Sequence, residues 1–162
     1  MPYSGLETYL NDHLAGATAG MNLAEMAAEE HRGDPHGAFF AEIASDIRTD
    51  YAALDVIVQG MNVEKSATKT AAAELGSKLM KPKFTSGDDD ELNAFITLET
   101  LSIGVEGKIC MWRALKTVDD TDAVLGGADL DELLARAEDQ RSRIEAKRLE
   151  MAPLALAHTV NA

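Results

Sequence analysis

Four long stretches of helical apolar spacing, separated by three unequal connections, restrict this chain to a small number of folds. In each stretch, apolar residues recur every three or four positions, which is the spacing of one face of an α-helix. This spacing predicts helices over about 6–32, 35–58, 89–117 and 130–157, with Asp129 capping the last. Helices of about 28 residues are about 42 Å long, so they bury their apolar faces best side by side. The sequence therefore predicts an all-α helical bundle, with residues 1–162 forming a single domain.

The connections between the predicted helices differ in length, and this difference limits the topology. We expect Gly33 to end the first helix, and Asp34 with Pro35 to start the second after a tight turn. Residues 62–89 form a much longer connection, with room for a short helix over 66–80. Because bundle loops are usually short, two hairpins joined by one long crossover are favoured over an ordinary up-down bundle.

The charge balance is strongly acidic, with 28 acidic and 15 basic residues and a formal net charge of −13. A charge of this size argues against duplex DNA and anionic membranes as partners. Cys110 is the single cysteine, which excludes an intrachain disulfide. The N-terminal residues lack the pattern of a signal peptide, and no apolar run reaches the ~18 residues of a membrane span. We therefore expect a cytoplasmic protein that binds neither nucleic acid nor membrane.

Charged residues fall inside the apolar stripes that the spacing predicts. The third helix carries two acids seven residues apart in its stripe, and the fourth carries two arginines at the same spacing. An isolated buried charge is costly, so inward acids and inward arginines predict each other. We predict a buried ion-pair ladder in the bundle core, whose members are Asp50, Glu99, Glu106, Arg113, Arg141 and Arg148. Which acid meets which arginine depends on the offset between the helices, and the sequence leaves this open.

The helix order, the long connection and the inward acids resemble the ferritin-like superfamily over nearly the whole chain. Di-iron members of that superfamily carry a Glu on each of two helices and a Glu-x-x-His on each of the other two. None of the four histidines here has a Glu three positions before it, and in the nearest remnant Arg141 follows Glu138 where a histidine would stand. Arginine stays charged and cannot bind a cation. The resemblance implies a ferritin-like bundle with a short crossover helix, but without the di-iron ligands.

For function, we expect a bacterial-type ferritin-like protein that is not a catalyst and holds no cofactor. Ion pairs would replace the di-metal centre, and the protein would act by assembly or partner binding. The alternative is a metal-dependent oxidase or metal-storage protein with a di-iron or manganese site. An atypical site of this kind would use His13, Asp50, Glu99 and Glu106, whose imidazole and carboxylate groups suit these metals.

The third predicted helix is apolar on more than one face. Leu98, Val105 and Trp112 lie outside the predicted charged stripe and require cover. A symmetric partner chain would supply it, so we expect a homodimer, while cover by the chain's own crossover and C-terminus is the alternative. Cys110 lies on the predicted stripe and is expected to be buried. On the first helix, small residues such as Gly16 are expected to permit close helix approach.

Overall fold

A computed structural model describes residues 4–61, 90–118 and 125–157 of the chain. These residues form four helices and no strand, which confirms the prediction of an all-α protein. The helices are α1 (Ser4–Glu30), α2 (Gly37–Gly60), α3 (Asp90–Leu115) and α4 (Leu130–Leu156). The connection that the sequence predicts over 62–89, with its short helix over 66–80, lies outside the described residues.

Local sequence signals account for two helix boundaries. Gly33 has a φ of +88°, the left-handed conformation that glycine adopts easily after a helix end. Asp34 Oδ1 then accepts a hydrogen bond from the His36 N–H at 2.7 Å within the turn, and α2 begins at Gly37, two residues after the predicted start at Pro35. At the start of α4, Asp129 Oδ1 accepts hydrogen bonds from two backbone N–H groups of the first turn, each at 3.0 Å. Asp129 is therefore the N-cap that the sequence predicts.

The four helices form two antiparallel hairpins, α1 with α2 and α3 with α4. Two polar contacts between α2 and α3 show the relative direction of the two hairpins. His36 Nε2, just before α2, lies 3.4 Å from Glu91 Oε2 in the first turn of α3. Asp50, midway along α2, contacts Lys108 in the second half of α3. Hence α2 and α3 run in the same direction, and the end of α2 and the start of α3 lie at opposite ends of the bundle.

The core face of α3 differs from the stripe that the sequence predicts. Buried residues on α3 include Leu98, Leu101, Val105, Ile109, Trp112 and Leu115. By contrast, Ile103 is 70% exposed and Cys110 is also exposed, so the predicted burial of Cys110 is wrong. Because α3 is apolar on two faces, spacing alone does not decide between them. The face that carries Trp112 buries the larger side chains, so it forms the core.

The predicted interface residues Leu98, Val105 and Trp112 are therefore buried inside their own chain. The prediction that a partner chain covers them is wrong, because the hairpin of α1 and α2 and the neighbouring α4 already do so. Within the part of the chain that the structure describes, no helix combines the length and apolarity that a membrane span requires.

Candidate functional site

Asp50 lies in the middle of α2 with only 3% of its surface exposed. Two cations flank its carboxylate: Lys108 Nζ lies 2.5 Å from Oδ2, and Arg136 Nη2 lies 2.6 Å from Oδ1. Gln140 completes the group, because its Nε2 donates to Asp50 Oδ2 and its Oε1 accepts from Lys108 Nζ, both at 2.6 Å. We name Asp50, Lys108, Arg136 and Gln140 the core charge cluster.

Three helices bring the core charge cluster together. Lys108 stands seven residues after Leu101 and seven before Leu115, so it lies on the core face of α3. Arg136 and Gln140 are four residues apart on α4, which places them on one side of that helix. Three hydrogen bonds among Asp50, Lys108 and Gln140, together with the ion pair to the partly exposed Arg136, compensate the buried carboxylate for its loss of water. Without such partners a buried charge would be strongly destabilising.

Burial lowers the pKa of Lys108, and its attraction to the Asp50 carboxylate opposes this effect without cancelling it. The nearby Arg136 guanidinium lowers the pKa further, because two cations share one anion. The core charge cluster thus holds one negative and two positive groups while Lys108 is protonated.

The predicted ladder residues pair with each other, but not in the core. Glu106 Oε2 lies 2.8 Å from Arg141 Nε, and Glu99 Oε2 lies 3.1 Å from Arg148 Nη1. The side chains of Glu106 and Arg141 are 47% and 37% exposed, and those of Glu99 and Arg148 are 51% and 21% exposed. We name these two contacts the edge pairs. Their predicted burial is wrong, because the core face of α3 turns towards Trp112 and leaves both acids at the solvent edge.

The two remaining ladder residues have different positions. Arg113 pairs with Glu138 at 2.8 Å, and both side chains are exposed. Asp50 does lie in the core, but its partners are Lys108 and Arg136 rather than the predicted arginines. Sequence reasoning missed these partners because it took the wrong face of α3 as the core. The seven-residue spacing of Lys108 from Leu101 and Leu115 was the available signal.

The proposed alternative metal ligands His13, Asp50, Glu99 and Glu106 do not form one site. Across residues 4–61, 90–118 and 125–157, no group of three His, Cys, Asp or Glu side chains is placed to hold a metal ion. Glu99 and Glu106 pair with arginines at the edge, and two cations neutralise Asp50. His13 instead packs against the Tyr9 ring with centroids 4.6 Å apart, and burial lowers its pKa. The four side chains proposed as ligands, as the structure describes them, do not fit a di-iron or manganese centre.

A cavity of about 630 Å³ adjoins the core charge cluster, between α1, α2 and α3. Four helix glycines line it, and a Cβ built at any of them would meet no atom within 4 Å. These glycines are Gly16, Gly20, Gly104 and Gly107. The expectation that Gly16 permits close helix approach is therefore wrong, since the space beside it is open.

Comparison with known proteins adds no assignment to this geometry. No protein-family model, curated protein or solved structure matches the chain. The function is therefore inferred from the core charge cluster, the edge pairs and the cavity.

Proposed function

We propose that the chain is a ferritin-like bundle whose core charge cluster stands where related folds hold two metals. It acts by binding or assembly and not by catalysis. The observation that carries the proposal is the position of Asp50. The carboxylate at the centre of the bundle is held between Lys108 and Arg136, at 2.5 and 2.6 Å. A metal ion at this position would have to displace two cations that already neutralise the carboxylate.

The direction of the helices supports the ferritin-like part of this proposal. In an up-down bundle, α3 would be antiparallel to α2, whereas here the two helices are parallel. A connection between them has to cross the length of α2, which is about 36 Å for its 24 residues. The 28 residues over 62–89 are long enough for this, since an extended chain spans up to ~3.5 Å per residue.

The chemistry of the cluster supports the metal-free part. Metal ligands must offer a free lone pair, as a carboxylate or a neutral imidazole does. Arginine keeps its charge at all accessible pH values and offers none. Both oxygens of Asp50 contact cations, and Gln140 occupies one of them as well. The centre of the bundle is therefore arranged to satisfy one carboxylate internally.

Elemental analysis of the purified protein tests this proposal. We would incubate it anaerobically with ferrous iron, and separately with manganese, and remove unbound metal by gel filtration. The expected result is no stoichiometric metal in the wild type or in Glu99→Ala. Two metals per chain, reduced by Asp50→Ala and by Glu99→Ala, would overturn the proposal in favour of a metal-dependent oxidase or storage protein.

We further propose that the assembly is a homodimer formed through the outer face of α3. Ile103 and Cys110 lie seven residues apart on this face, and both are exposed. These two side chains stand two turns apart on one side of α3, with the Glu106–Arg141 pair between them, so the face offers both apolar and charged contacts to a second copy. Sedimentation velocity should give a dimer for the wild type and a monomer for Ile103→Glu. A wild type that stays monomeric at all concentrations would contradict this proposal.

A further inference from the structure

The cavity beside the core charge cluster has the size and lining of a small-molecule site. Its volume of about 630 Å³ lies within the range of about 300–1,000 Å³ that is typical of ligand pockets. Its walls are largely apolar and include Leu23, Ile47, Leu54, Leu101 and Met111. Polar side chains also line it: Asp50 and Lys108 of the core charge cluster, and Asp12 with His13 on α1.

Glycines keep this cavity open. A glycine within a helix is destabilising relative to alanine, so it usually has a packing reason. No such reason exists for Gly16 and Gly20 on α1, or for Gly104 and Gly107 on α3, because a Cβ at any of them would contact nothing. Larger side chains at the partly buried Gly20 and Gly107 would occupy cavity space, whereas Gly16 and Gly104 are exposed. The glycines therefore preserve space rather than close contact.

Lys108 sets the chemistry of the charged region. An ammonium group has three N–H donors, and Lys108 uses two of them, for Asp50 and for Gln140. The third is left for an acceptor. Within the cluster, Lys108 and Arg136 carry two positive charges against the single carboxylate of Asp50, while the nearby Asp46, which also attracts Lys108, is itself paired with Arg143. A ligand group placed beside Lys108 is therefore favoured if it accepts hydrogen bonds and carries a negative charge.

We propose that this cavity binds an amphipathic monocarboxylate, with its alkyl chain between α1, α2 and α3 and its carboxylate beside Lys108. The chain would contact the apolar walls, and the carboxylate would balance the excess positive charge. This inference goes beyond the proposed function and does not rest on it. A metal-binding result in the experiment above would leave it standing, and the titration below says nothing about metals.

Isothermal titration calorimetry with dodecanoate, below its micelle concentration, tests the site. Gly20→Leu and Gly107→Leu should each weaken binding by at least about tenfold, because they fill the cavity from opposite walls. Neither side chain meets an atom close to its Cβ, so both variants should fold. Gly5→Leu is the matched control, since Gly5 also has open space around it but does not line the cavity. Its affinity should equal that of the wild type.

The head group is tested on the wild type with ligands of equal chain length. Dodecanoate should bind at least about tenfold more tightly than dodecanol, and dodecyltrimethylammonium should bind more weakly still. Lys108→Met should reduce the difference between dodecanoate and dodecanol. Trp112 is the only tryptophan and lines the cavity, so its fluorescence should change on binding. The proposal would be overturned if dodecanoate did not bind. It would also be overturned if Gly20→Leu and Gly107→Leu bound dodecanoate as tightly as the wild type does, or if the wild type bound dodecanol as tightly as dodecanoate.

Discussion

The core charge cluster and the edge pairs join the same kinds of charged group in very different surroundings. Asp50 is buried between Lys108 and Arg136, whereas Glu106 meets Arg141 at a surface that water reaches. Water and salt weaken an exposed ion pair, so such a pair contributes little to stability. In the interior, attraction is stronger, and an isolated charge is much more costly. Both regions thus join a carboxylate to basic side chains of a neighbouring helix, and what separates them is their position relative to the core face.

The largest expected effect comes from breaking the core charge cluster. Asp50→Asn removes the carboxylate of the core charge cluster and leaves Lys108 and Arg136 close together. We expect the free energy of unfolding to fall by about 3 kcal/mol, because the remaining charges lose their counter-charge. Urea unfolding followed by circular dichroism measures this. Glu106→Gln is the matched control in an edge pair, and its loss should stay below about 1 kcal/mol. Equal losses would remove the distinction between the two regions.

A smaller effect concerns the pH dependence of stability. Because burial lowers the pKa of Lys108, the unfolded chain holds this proton at pH values where the folded chain has lost it. The contribution of Lys108 is therefore most favourable above the unfolded pKa of about 10.4, and is lost as the pH falls through the lower folded pKa. Between these two pKa values, the free energy of unfolding changes by at most about 1.4 kcal/mol per pH unit because of this group.

The measurement is the difference in unfolding free energy between the wild type and Lys108→Met at pH values from 7 to about 10.5. The difference should change with pH in favour of the wild type as the pH rises. Arg141→Leu changes no core charge, so the pH dependence of its unfolding free energy should be the same as that of the wild type. A pH-independent difference for Lys108→Met would mean that its pKa is not lowered.

The smallest effect is expected at the edge pairs. Arg141→Leu should change the free energy of unfolding by less than about 1 kcal/mol, because both partners are partly hydrated. A concentration of 1 M NaCl should reduce this change further, since the Debye length is then about 3 Å. The same salt should leave the effect of Asp50→Asn largely unchanged. A loss of about 3 kcal/mol for Arg141→Leu would place this pair in the core after all.

Features set by local chemistry were readable from the sequence. The all-α class followed from helical spacing. The Asp129 cap followed from the preference for Asp at the N-cap, where its carboxylate accepts hydrogen bonds from backbone N–H groups of the first helical turn. The inward position of Asp50 was also predicted, because on α2 one apolar face dominates. In each case the competing arrangement would have exposed a clear apolar face or left backbone N–H groups without partners.

The face of α3 could not be predicted in the same way. Glu99 and Glu106 share one side of α3 with Ile103, while Lys108 shares the other with Trp112. Both sides are apolar enough to form a core, so the choice depends on which one packs against the other three helices. That choice is made by contacts between helices, which the spacing within one helix does not specify. A lysine also reads as a surface residue until its buried partners are known, so Lys108 was missed together with Arg136 and Gln140.

The carboxylate of Asp50, at the centre of the bundle, is neutralised by side chains of the same chain. A double-mutant cycle with Asp50→Asn and Lys108→Met measures their coupling directly, and the cycle with Glu106→Gln and Arg141→Leu provides the edge-pair reference. We expect a coupling of about 2 kcal/mol or more at the centre and less than about 1 kcal/mol at the edge. A coupling at the centre no larger than that at the edge would contradict it.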